Sequence, residues 1–161
     1  MAIDQLARAV SLAWTAVAGQ SPAPPAGPLT NIQSYSFSQA AELAEFLSGT
    51  SRVNAHYLGT RSATLQVETA DIAAWAGFAA GQKYTNVILT IESAQDSGGA
   101  GVGQNATITL SEAVVTEIGE LGMGNENSAP VVASVTFALS RHATSESDPT
   151  VAIAAAGGGG G

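Results

Sequence analysis

The sequence predicts a mainly β fold, an antiparallel β-sandwich or open β-barrel, with one short flanking α-helix and an N-terminal arm. Three observations predict it. Successive segments of the 161-residue chain alternate apolar and polar residues with period 2, the spacing of a strand buried on one face. Within the body, one segment between two such strands switches to helical period. Four of the six prolines fall between Pro22 and Pro28, so the remainder is nearly free of a residue that sheet ladders exclude.

Residues 1–19 form the first unit. Ile3, Leu6, Val10, Trp14 and Val17 recur at helical spacing, while Val10, Leu12, Trp14 and Ala16 also alternate as a strand would. The abundance of helix formers tips the expectation slightly toward a helix, an arm that docks on a neighbour. The segment fits a signal peptide poorly, because Asp4 precedes Arg8 and no basic cluster opens it. Residues 20–30 are a proline-rich linker, extended and semi-rigid.

The β-rich assembly domain is expected over residues 31–142. "NIQSYSFSQ" places Tyr35 and Phe37 on one face and serines on the other. "AAELAEFLSG" suits a helix or a strand. "RVNAHYLG" and "RSATLQVE" read as two strands, the second with Leu65 and Val67 inward. A helix follows over 70–80, capped by Thr69 and stopped by Gly81, with Ile72 and Trp75 on its apolar stripe. About eleven residues make no stable helix alone, so it must pack on the sheet. "TNVILTIES" points Val87, Leu89 and Ile91 inward, and "NATITLSEAVVTEIGEL" is a long strand whose alternation slips near Ala113–Val115, as at a bulge. "PVVASVTFALSRH" alternates most cleanly, with Val135 and Phe137 inward. Residues 143–161 read as a flexible C-terminal tail.

Little in this framework carries chemistry. With no cysteine, disulfides, thiolate metal sites and cysteine nucleophiles are excluded together. His56 and His142 have no ligand spacing around them, and no catalytic, cofactor or metal residues are assigned. Gly99, Gly101 and Gly103 lead into a strand rather than a helix, so no helix N-terminus holds a phosphate there. The net charge of −8 and the scatter of Arg8, Arg52, Arg61, Lys83 and Arg141 argue against nucleic-acid binding and against an anionic membrane. Charged residues are only 11% of the chain, which points to surface buried in an assembly. Glu112, Glu117, Glu120 and Glu126 form a candidate acidic surface, a solvated edge or an assembly face. Trp14, Tyr35, Phe37, Leu65, Val67, Ile72, Trp75, Leu89, Ile91, Val135 and Phe137 are the candidate core and assembly anchors.

The succession of a Tyr/Ser strand, "AELAEFLSG", "GTRSATLQVE", a short helix, "VILTIES", "ITLSEAVVTEIGEL" and "VVASVTFALSR" resembles the tail-tube and related virion structural proteins of tailed bacteriophages. The resemblance spans about Asn31 to His142 and rests on element order. It implies a non-enzymatic subunit, made in the host cytoplasm, that forms a homo-oligomeric ring, a hexamer, stacking into a tube with other virion proteins. DNA would pass through without specific binding, and the acidic charge suits such a wall. The "SPAPPAGP" linker and the first segment depart from the family pattern, which leaves a capsid decoration or head–tail joining protein as an alternative. A secreted β-sandwich adhesion or ligand-binding module is the alternative of another class.

Overall fold

The computed structural model describes residues 7–46, 55–93, 105–119, 132–141 and 148–156. In chain order they form β1 (Ala7–Ala16), β2 (Ile32–Phe46), β3 (Ala55–Thr69), α1 (Ile72–Trp75), β4 (Lys83–Ser93), β5 (Asn105–Gly119), β6 (Ala133–Leu139) and β7 (Val151–Ala156). All seven strands lie in one antiparallel sheet of order β1-β4-β5-β6-β3-β2, with β7 added beside β5. The sheet curls until β1 touches β2, so the architecture is an open barrel around one core.

The first segment is a strand, not a helix. β1 pairs with β4 from Ala7↔Ser93 to Ala16↔Tyr84, with two register shifts. Its helix formers lose to the hydrogen bonds that β4's edge offers and to burial of Leu12. It therefore docks on its own body. The proline-rich linker folds back across it: Leu12 and Leu29 exchange backbone hydrogen bonds of 2.9 and 2.8 Å, and the Trp14 indole N–H donates to Pro25 O at 3.0 Å. Leu12 and Leu29 are fully buried, so this linker is part of the core's cover.

"AAELAEF" continues β2, and the two predicted strands after it merge into the single strand β3. The helix is much shorter than expected. Asp71, not Thr69, caps it, its Oδ1 accepting from Ala74 N at 3.2 Å. Thr69 is instead the buried end of β3, where its hydroxyl donates to Thr30 O and accepts from Asp71 N, both at 3.0 Å. The chain leaves helical geometry at Gly77, where Pro25 packs so closely that a Cβ would lie 2.6 Å from the proline Cβ. Gly81 does end the segment: at φ 90° it donates its N–H to Val115 O at 2.7 Å.

The core joins Leu12, Leu29, Leu65, Val67, Leu89, Leu110, Val115 and Val135 around Phe78, Tyr84 and Phe137. These three rings and Trp14 meet edge-on or tilted, with centroids 5.0–6.2 Å apart. No residue of α1 is buried; the buried anchor is Phe78, just beyond it. The expected tail also acquires structure, because Val151–Ala156 pairs with Leu110–Asn105.

Candidate assembly surface

Antiparallel pairing puts register partners on the same face of a sheet. On the inner face, Phe37, Leu65, Phe137 and Val115 follow one another across β2, β3, β6 and β5. On the outer face, Ser36, Gln66, Thr136 and Glu117 do the same, as do Ser34, Glu68, Ser134 and Gly119. Farther along the sheet, Ser11, Thr90 and Thr107 form another outer row. This face is mostly hydroxyl and amide. Ser34 Oγ donates to Glu68 Oε2 at 2.5 Å, and Thr116 Oγ1 donates to Thr136 O at 3.4 Å. Burying these hydroxyls under an apolar partner would cost free energy.

The candidate anchors divide by burial. Leu65, Val67, Leu89, Ile91, Val135 and Phe137 are buried in the core. Trp14, Phe37, Ile72 and Trp75 are half-buried. Trp75 lies over β6, donating its indole N–H to Ser134 O at 2.9 Å. Tyr35 is exposed and lines a small depression with Ser34, Ser36, Gln66 and Glu68.

Of the four acidic candidates, two lie among the described residues. Glu117 is exposed on the outer face, but Glu112 is buried at 7% exposure. The predicted slip causes this: Glu112 and Ala113 are consecutive buried residues, so the inward alternation changes phase between them. On β4 the alternation breaks opposite the same point, with Tyr84 and Val87 buried on either side of Asn86 at φ 50°. Glu120, Glu126 and His142 lie outside the described residues. His56 pairs in register with Glu45. Among the described residues, no three His, Cys, Asp or Glu side chains converge as a metal site would require.

Gln82 is a buried polar residue that sequence reasoning missed. Its Oε1 accepts from Ala79 N at 2.8 Å and from the Tyr84 hydroxyl at 2.7 Å, and its Nε2 donates to Pro22 O and Gly77 O, each at 3.3 Å. One amide thus ties the linker, the turn after α1 and the core together. Burial pushes the Tyr84 phenol pKa up, which keeps it a neutral donor to Gln82. These hydrogen bonds hold the linker and the turn against the core.

No family model and no curated protein matches the chain. Solved structures do resemble it. A chain of the extended-state sheath/tube terminator of an extracellular contractile injection system, PVC, superposes with TM-score 0.53 at 12% identity, covering 90% of this chain and 92% of that one. The sheath–tube complex of the same system gives TM-score 0.53 at 14% identity, covering 91% and 88%. The tube-terminating cap of the anti-feeding prophage gives 0.52 at 14% identity, covering 97% and 95%. At such low identity the likeness is one of fold, and it extends over nearly the whole of each chain.

Proposed function

We propose that this chain is a self-assembling structural subunit of a phage-tail-like particle, a tube protein whose copies form stacked rings around a channel. The observation that carries this reading is the end-to-end fold likeness to chains of a sheath/tube terminator, a sheath–tube complex and a tube-terminating cap of injection systems, 88–95% of each neighbour's length. The hydroxyl-rich outer face and sparse charge are consistent with it. The wetted sheet face suits a channel wall, and carboxylates at Glu68, Glu92 and Glu117 would keep a polyanion from adhering. Ring order, six-fold symmetry and the passage of DNA belong to the same proposal. So does a structural rather than catalytic role, the kind the injection-system neighbours have.

The test is negative-stain electron microscopy of purified protein across concentration and salt. Rings or tubes are expected. Dispersed monomers under every condition would sink the reading. A second reading, a terminating or head–tail joining protein, is favoured by the neighbours from a tube terminator and a tube cap. It predicts single rings that do not stack, whereas a repeating tube subunit gives tubes of variable length.

A further inference from the structure

β6 and β7 lie end to end along one edge of β5. Both run antiparallel to it, with Ala113 paired to Leu139 and Leu110 to Val151. Between these pairs β5 spends two residues, Ser111 and Glu112, whereas the other chain spends eleven, 140–150. The excursion leaves and re-enters at adjacent points. Ser140 N donates to Glu112 O at 3.2 Å, Ser111 N to Thr150 O at 3.0 Å, and Thr150 N to Ser111 Oγ at 2.7 Å. A strand running straight on would need only two residues here. The longer connection gives β7 a reach that its place on its own β5 does not require.

β7 is also lightly held. Val151 packs against the core, but Ala152 and Ala154 are exposed and Ile153 is 62% exposed. An ion pair closes the ends of the excursion, Arg141 Nη1 to Asp148 Oδ1 at 3.7 Å, with side chains 49% and 89% exposed. Such a pair holds weakly in water. Pro149 disfavours helical backbone at Asp148 and so presets an extended approach to β7. The strand sequence "VAIAAA" has no charge, proline or glycine, the usual protections of an exposed edge.

We propose that β7 is an exchangeable strand: in the assembled particle it leaves its own β5 and completes the same edge, Asn105–Leu110, on a neighbouring copy. The inference rests on the reading of the chain as a self-assembling subunit and names the contact that would join copies. The occupant is a second copy because β7 already fits that edge through six register pairs, and another copy presents the identical edge. Exchange makes the same contacts as the closed monomer, so it costs little. Eleven extended residues reach about 36 Å, roughly one domain diameter.

The lack of native cysteine makes the test direct. The double variant Ala106→Cys, Ala155→Cys places thiols at register partners of β5 and β7. It is purified reduced, allowed to assemble, oxidised, run on a denaturing gel without reductant, and imaged in parallel. A ladder extending past the dimer and holding most of the protein is expected, with each single-cysteine variant stopping at dimer. A monomer band linked within one chain overturns the exchange. Rings with a monomer band leave the assembly reading intact, whereas a ladder without rings supports exchange and counts against that reading. Monomer without rings removes both. Should the variant fail to fold, as judged by circular dichroism, the register pair Thr109→Cys, Ala152→Cys is read in the same way.

Discussion

Replacing Phe137 with alanine tests the core directly. Phe137 is fully buried, lies in register between Leu65 and Val115, and meets Phe78 at 5.8 Å and Tyr84 at 5.6 Å, both edge-on. Truncating a buried phenylalanine costs about 3–5 kcal/mol, part of it for the cavity left behind. For a domain of this size each kcal/mol lowers Tm by about 2–4 °C, so the expected loss is roughly 6–20 °C. Phe37, half-buried on the neighbouring β2, is the control: Phe37→Ala should cost about 1 kcal/mol. Near-UV circular dichroism during heating reads both. A double-mutant cycle with Phe78→Ala should give a coupling of about 0.5–1.5 kcal/mol, the worth of one edge-to-face pair. A Phe137→Ala loss no larger than that of Phe37→Ala would refute the assigned inner face and the register that places it.

Three further outcomes follow from named contacts. Gln82→Leu removes two donated and two accepted hydrogen bonds, so stability should fall by about 2–4 kcal/mol, and limited proteolysis should then cut the Pro22–Pro28 linker earlier than in the unmodified chain. Burial raises the Tyr84 pKa above its ordinary 10.0, so the folded state keeps the proton longer than the unfolded one; stability is whole below about pH 10 and falls above it by up to about 1.4 kcal/mol per pH unit. Urea titrations between pH 9 and 11 should show that slope reduced in Tyr84→Phe. Finally, a Cβ at Gly119 would overlap Ser134 Oγ, so Gly119→Ala should cost about 1–3 kcal/mol, and adding Ser134→Ala should recover part of it in chemical denaturation.

The strands that could be read from the sequence are those with one apolar face. Leu65 and Val67, Leu89 and Ile91, and Val135 and Phe137 each alternate with polar partners, and each is buried. The phase slip near Ala113 was visible for the same reason, since two adjacent residues cannot both point inward without a bend. What stayed hidden depended on distant partners. β1 satisfies helical and strand periods equally, and only the edge of β4 decides between them. The helix was overestimated because Pro25, far away in sequence, packs on Gly77 and interrupts it. "VAIAAA" reads as neutral tail until the edge of β5 supplies its hydrogen bonds. Gln82 gave no signal at all, because a lone glutamine reveals nothing of the four partners that surround it.

The edges of the sheet bear on where copies would meet. A face covered with Ser and Thr is a poor adhesive, since each hydroxyl withdrawn from water needs a replacement partner. An open strand edge needs none, because the incoming backbone brings its own donors and acceptors. The outer edge of β1 is engaged by Leu29, and the linker behind it is held by Trp14 and Gln82. β2 carries Glu42, exposed, a charge of the kind that discourages further pairing. Among the described residues, β7 alone of these strands has neither cover nor charge. Under the proposed reading, contacts between copies therefore concentrate at β7 and the edge it occupies, while the hydroxyl face stays wet. That division accounts for a chain with few charges, in which Gln82 and Thr69 spend their hydrogen bonds on its own fold.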